Sequence, residues 1–505
     1  MAETITTKKF AKNVVYSILA QIISLAVSFV LTLIVPRFID EFQYAYWQMY
    51  VLYVGYVGVL HFGLLDGLVL RYSKYDYEEL EKSKLRSQLI ILLVFTSVIT
   101  VLMALVCMLA VNAPDNVIFI LVAVGVITKN LVTYSSYMFQ ITNRINKYVF
   151  LIIAQRLTYG VFVAVLLALK VNDFYWYCIA DLCGDLVGIV IGIIFNKELF
   201  FGKPTGLKSS FGELKTNISS GIILMMANWS AMLMIGSAKM IIQWRWDELL
   251  FGKVSFAFSV SNIFLVFVSA ISVVLFPSLQ RIEPEKLPSM YKSIRNILSP
   301  VLFFLMIFYF VGCWILNLWL PKYSSSLVYL GILLPIIIFS SKVSLLTNNY
   351  LKVYRKEKLM LLANFISILL GALLFVLCAY VFNNLTALLC CVVGVIMFNS
   401  VLSEIFVLKT IKVKIIKEFI FEAVMTVGFI LCTCLLSLWI GMAVYSGLFL
   451  LYCALNYKSI KAIFNRLFKR KQTNVTEQPL TEVKQSADDK ENLNTESDGG
   501  DVEGT

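Results

Sequence analysis

Apolar runs of roughly 20 residues, each long enough to cross the hydrocarbon core of a bilayer, follow one another along almost the whole chain. Read from one polar break to the next, they predict fourteen membrane-spanning helices. These lie at 13–35, 43–67, 88–112, 116–140, 148–169, 174–196, 217–242, 252–279, 297–319, 326–350, 358–381, 385–408, 418–438 and 440–456. The expected fold is therefore all-α and polytopic. The opening MAETITTKKFAKN has neither a short apolar region nor a small-residue cleavage site, so the first run is read as a retained helix and not a signal peptide.

The polar breaks are not alike. One alternating set carries clusters such as Lys8, Lys9 and Lys12, or Lys352, Arg355, Lys356 and Lys358, and holds 32 cations in all. The other set holds 5: Arg37, Lys170, Arg245, Lys253 and Lys322. Basic loops face the cytoplasm, so both termini are expected inside. Past Lys471 the composition reverses to nine acidic residues and two lysines with few apolar positions, the signature of a disordered tail. Just before it, Ile460, Ile463, Phe464, Leu467 and Phe468 fall on one face of a basic helix suited to an anionic membrane surface.

A second regularity has a period of roughly 205–210 residues. TNRINKYVFLIIAQRLTYGVF (142–162) and VYRKEKLMLLANFISILLGAL (353–373) share a basic turn, an apolar run, a mid-span amide (Gln155, Asn364) and a following glycine (Gly160, Gly371). DEFQYAYWQMYVLY from Asp40 pairs in the same way with DELLFGKVSFAFSV from Asp247. Two six-helix lobes in parallel pseudo-repeat follow, with two extra C-terminal helices; such duplication is common in alternating-access carriers. The expected divisions are a cytoplasmic N-terminus (1–12), an N-lobe (13–196), a linker (197–216) and a C-lobe (217–408). Two further spans (418–456), a membrane-surface helix (457–471) and an acidic tail (472–505) complete the chain.

Only 15% of residues are charged, against about 25% in globular chains, so those inside spans are informative. Lys129, Arg156 and Lys239, with Arg37 at the end of the first span, are candidate anion-binding groups. A lysine at mid-bilayer costs about 2.5–3.5 kcal/mol unless it faces water or a partner. Two accounts coexist: a structural bridge from Lys129 or Arg156 to Asp185, and an anion site in a cavity between lobes. Asp181 and Asp185, one turn apart, are candidates for a coupling ion, H+ or Na+. A polar stripe down the first span (Asn13, Ser17, Gln21, Ser24, Ser28, Thr32) and another in the fourth (Lys129, Thr133, Ser136, Gln140) predict a wet lumen. Serines and Asn262 in the eighth span fit a lumen or close helix packing equally. His61, the sole histidine, reads as a satisfied helix residue. Ten cysteines in apolar segments, with no CxxC, give no metal site. No GxxxxGK[ST] and no sizeable external loop are present, so neither an ATP-driven engine nor an enzyme is expected, and no cofactor.

NVVYSILAQIISLAVSFVLTLIVPRFI, HFGLLDGLVLRYSKY, LLFGKVSFAFSVSNIFLVFVSAISVVLFPSLQ and NNYLKVYRKEKLMLLANF together resemble bacterial polysaccharide (O-unit or capsule) flippases. These belong to the multidrug/oligosaccharidyl-lipid/polysaccharide exporter superfamily, and the resemblance covers roughly 10–456. It implies a two-lobed carrier in the bacterial inner membrane that moves undecaprenyl-diphosphate-linked oligosaccharides between leaflets. Its partners would be that lipid, membrane lipids and other polysaccharide assembly proteins; no nucleic acid is implied. Drug antiporters of the superfamily often carry an acid in the first helix. None lies between Asn13 and Pro36 here, so drug export is the weaker alternative and a cell-wall lipid precursor the closer one.

Overall fold

In the computed structural model, residues 7–112, 114–280, 282–413 and 417–457 are described, and every regular element among them is helical. The surface helix and acidic tail expected at 457–471 and 472–505 lie outside the described residues, apart from Tyr457. Fourteen spans are present when one bent pair is counted as a single crossing. We label them in order. The first six are α1 (Thr7–Phe29, continued through Val30–Ile34 to Phe38), α2 (Glu41–His61 with Leu64–Tyr72), α3 (Lys82–Ala110), α4 (Asp115–Ile141), α5 (Ile145–Ala168) and α6 (Phe174–Phe195). The next six are α7 (Leu207–Arg245), α8 (Glu248–Gln280), α9 (Leu287–Trp319), α10 (Ser326–Val353), α11 (Glu357–Val381) and α12 (Leu385–Ile411). Two more, α13 (Lys417–Leu435) and α14 (Leu438–Leu455), close the bundle.

Local chemistry explains where the helices start and break. Asp40 and Asp247, paired by the repeat, play one structural role: each carboxylate accepts a backbone N–H two or three residues on, from Phe42 (2.9 Å) and Leu250 (2.7 Å). Both therefore cap the first turn of a span. The paired amides both bond the next span, though in opposite senses: Gln155 donates to Asp185 (2.6 Å) and Asn364 accepts from Asn399 (3.0 Å). Three spans carry a π-helical turn, at Val30–Ile34, Val343–Thr347 and Leu377–Val381. The first of these leads straight into Pro36, whose ring cannot continue the backbone ladder.

The sharpest departure from a straight span is in α2. Its first half ends in a 3-10 turn, Val57–His61, and its second half leaves at 57°. Phe62 and Gly63 take positive φ angles of 49° and 81°, a conformation that terminates a helix. The Gly63 N–H then donates to His61 Nδ1 (3.1 Å), and His61 Nε2 faces Asp66 at 3.6 Å, so the lone histidine is satisfied at the bend.

This bent span is the main seam between the halves. At the end of the bundle opposite the basic loops, α2 packs on α8. Tyr44, Phe256 and Tyr323 form an aromatic cluster with centroids 4.8–6.4 Å apart, and Ala45 lies directly over Gly252. Arg37 stacks on Trp319 (4.0 Å to the ring) and donates to its carbonyl (2.6 Å), while the Trp319 indole donates to the Leu33 carbonyl (2.8 Å). At the basic-loop end, the second half of α2 crosses α7 so closely that Gly67 faces the Asn217 backbone and Gly221 faces Gly63. Arg71 and Tyr72 both bond Glu213 there, at 2.6 and 2.7 Å.

Candidate functional site

Between these two seams lies a cavity of about 560 Å³. Residues of α1, α2, α4, α5 and α6 supply most of its wall, and α7 and α8 supply Trp229, Ser259, Asn262 and Ile263. The polar stripes converge on it in part. Ser28 and Thr32 of α1 and Lys129 and Thr133 of α4 line it. Gln21 and Ser24 are half-buried farther toward the basic-loop end and do not. The side chains of Asn13 and Ser17 lie outside the described residues.

Lys129 is not a free cation. Its ammonium donates to Asp181 (2.8 Å) and to Asp185 (3.0 Å). Asp185 is fully buried and also accepts from Gln155 (2.6 Å) and Thr128 (3.0 Å), while Tyr50 donates to Asp181 (3.0 Å). The structural bridge expected for Lys129 is thus present, and both candidate coupling carboxylates belong to it. One cation against two carboxylates leaves this cluster one negative charge in excess when all three are ionised. Arg156 is different. Its side chain is exposed at the cavity wall and has no ion-pair partner among the described residues.

The other two proposed anion ligands do not join it. Lys239 is held inside the C-terminal half, 5.9 and 6.0 Å from the rings of Phe251 and Phe258, and does not line the cavity. Arg37 sits outside the cavity in its clasp with Trp319. As an anion site the cavity therefore rests on Arg156, with Lys129 as a neutralised neighbour. Sequence patterning missed Trp47, Gln48 and Trp229 as lining residues, because single aromatic or amide positions in an apolar run carry no period of their own. Among the described residues no cluster has the makings of a metal site.

A second ionic cluster went unread. Arg295 is inside α9 and 1% exposed. It bonds Glu404 of α12 (2.5 Å) and Glu422 of α13 (3.0 Å), and Lys342 of α10 bonds the same two carboxylates (2.7 and 2.6 Å). Tyr291 also donates to Glu404 (2.9 Å), and the two cations and two carboxylates form a charge-balanced quartet, none of which lines the cavity.

Likeness to known proteins agrees with this arrangement. Among solved structures, an inward-facing multidrug resistance MATE family transporter of the MOP superfamily matches with a TM-score of 0.61 at 12% identity, over 78% of this chain and 94% of that one. The lipid II flippase MurJ in an inward closed conformation matches with a TM-score of 0.63 at 12% identity, over 89% of this chain and 99% of that one. A MOP superfamily transporter from Pyrococcus furiosus matches at 0.50, with 12% identity over 79% and 96%. At such identities these matches carry the fold and nothing finer. No curated protein matches the sequence significantly. The family model described as polysaccharide biosynthesis protein matches residues 10–283, a stretch that contains every residue lining the cavity. The chain thus belongs to the polysaccharide biosynthesis protein family.

Proposed function

We propose that this protein is a flippase that carries undecaprenyl-diphosphate-linked oligosaccharide across the bacterial inner membrane by alternating access, for O-antigen, capsule or similar surface polysaccharide. The observation that carries the reading is Arg156, a guanidinium open to a cavity of mixed polar and apolar lining between the two halves and unpaired by any described carboxylate. A diphosphate passing through an apolar barrier needs such a partner, and guanidinium binds phosphate oxygens in pairs. The sugar hydroxyls pose the other half of the problem, because each costs several kcal/mol, about 2–7, to bury without a hydrogen bond. Ser28, Thr32, Gln48, Thr133, Ser259 and Asn262 offer partners along the wall. The prenyl tail stays in lipid throughout. In this reading the basic loops and both termini face the cytoplasm, and the two six-span halves rock about the α2 seams. The likeness to a lipid II flippase makes a cell-wall lipid precursor the second reading; it shares the diphosphate and differs in the glycan.

The test is translocation in proteoliposomes, scored by access of an externally added glycan-modifying enzyme, with and without an ion gradient. Hydrogen bonds to charged groups contribute roughly 1.5–3 kcal/mol, so Arg156→Ala is expected to lower transport about ten- to a hundredfold while the protein still inserts. Arg156→Lys should recover part of the loss. Unchanged flipping by Arg156→Ala would sink the anion site, and gradient-driven efflux of a cationic dye without lipid flipping would replace the reading with drug export.

A further inference from the structure

We propose that the α7–α8 wall of the cavity is a saccharide pole, with the Trp229 indole as the platform on which the sugar next to the diphosphate stacks; this rests on the flippase reading above. The first observation is how charge is divided. Every acidic or basic side chain at the cavity surface, Lys129, Arg156, Asp181 and His61, comes from α2, α4, α5 or α6. The opposite wall, from α7 and α8, offers Trp229, Ser259, Asn262 and Ile263, with no charge among them. A ligand with a doubly charged end and a neutral, hydroxyl-rich end fits such a cavity in one orientation only.

The second observation is how the indole is held. Trp229 of α7 lies over Gly58, where a β-carbon would come within 3.0 Å of the ring, so the glycine leaves the room the indole uses. Tyr56 packs beside it at 5.6 Å between centroids and 51°, and its hydroxyl donates to the Met232 carbonyl one turn farther along α7 (3.2 Å). Gly58 and Tyr56 lie in and just before the 3-10 turn that precedes the bend of α2, so the platform is fixed where the two halves meet. Such a side chain loses little freedom on binding, which favours it as an anchor.

The chemistry then selects the ligand class. A pyranose presents a face of C–H groups and a rim of hydroxyls. The C–H face suits the apolar surface of an indole. For the rim, the same cavity offers Asn262, Ser259 and Gln48, the last two within hydrogen-bonding distance of each other (3.4 Å), so an amide and a hydroxyl are already gathered together. A cavity of about 560 Å³ lies in the ~300–1,000 Å³ range of small-ligand sites. It therefore has room for the diphosphate end of the lipid and the sugar beside it.

The experiment compares two probes on the full-length protein in nanodiscs, with binding followed by native mass spectrometry. One is undecaprenyl diphosphate; the other carries a single N-acetylglucosamine or galactose on it. Trp229→Ala should weaken the sugar-bearing probe about tenfold and leave the sugar-free probe unchanged, while Trp229→Phe should retain most of the difference. Arg156→Ala should weaken both. Equal weakening of both probes by Trp229→Ala assigns the indole a structural role and overturns the proposal. So does an unaltered protein that binds the two probes equally, and in both cases loss with Arg156→Ala leaves the flippase reading standing. Binding of neither probe to the unaltered protein removes the flippase reading and the saccharide pole together.

Discussion

Glu404→Ala should be the most damaging single substitution in the protein, costing about 3–5 kcal/mol of stability, because it strands buried charge. The glutamate is fully buried and accepts from Arg295, Lys342 and Tyr291 at once. Without it, two cations confront the single carboxylate of Glu422 in a region from which water is largely excluded. The measurement is thermal unfolding of the purified protein in detergent, supported by yield in the membrane. A shift equivalent to less than about 1 kcal/mol would mean that water reaches the quartet and that the pairs are worth no more than surface bridges.

The same cluster permits a sharper version of that experiment. Lys342→Met alone leaves two carboxylates facing Arg295, and Glu404→Gln alone leaves two cations facing Glu422. Combining them leaves one neutral Arg295–Glu422 pair. The double variant should therefore unfold later than the sum of the singles requires, with a coupling of roughly 0.5–3 kcal/mol, the range for residues in one network. Because Glu422 belongs to α13 and Arg295, Lys342 and Glu404 to α9, α10 and α12, the quartet also binds an added span to the second set of six. That accounts for a charged residue in α13 that has no part in the cavity.

How much of this was legible in the sequence depends on the physics behind each feature. The fourteen spans were, because crossing a bilayer demands a long apolar run, and such runs need no knowledge of their neighbours. The pairing of Asp40 with Asp247 was legible as a repeated motif, and the structure adds that each caps its own first turn. Lys129 with Asp185 was within reach for a related reason: a buried lysine must find a partner, and few acids lie in the spans. Arg295 was hidden because it sits more than two turns into α9, in a first stretch whose charges look like a basic loop, and its partners lie 109 and 127 residues away. The bend in α2 was hidden by its composition. HFGLLDGL is apolar enough to pass as straight helix, and only the positive φ angles at Phe62 and Gly63 betray the break. Trp229 became a candidate only when α2 and α7 were seen to meet beside the cavity, a fact of packing that no periodicity encodes.

Gly67→Val should lower transport between several-fold and a hundredfold with little loss of membrane insertion, because the residue lies where α2 and α7 touch backbone to backbone. A β-carbon at Gly67 would fall 2.0 Å from the Asn217 carbonyl oxygen, and one at Gly221 would fall 2.1 Å from that of Gly63. Neither oxygen belongs to a side chain that can swing away, so the two helices must separate. Overpacking of this kind costs typically about 1–3 kcal/mol, and here the cost falls on one conformation: the state in which the basic-loop ends of α2 and α7 are joined. Each 1.4 kcal/mol moves a two-state equilibrium about tenfold, so the joined state would be depopulated between several-fold and a hundredfold. The Arg71–Glu213 contact, 2.6 Å across the same crossing, supplies the readout. In a background with the ten native cysteines replaced, Arg71→Cys with Glu213→Cys should be bridged readily by a short bifunctional thiol reagent, and poorly when Gly67→Val is added. Gly67→Ala should give an intermediate yield and intermediate transport. Efficient cross-linking in the valine variant would mean that the crossing tolerates a side chain; normal flipping together with lost cross-linking would mean that the carrier works without ever bringing these two helices together.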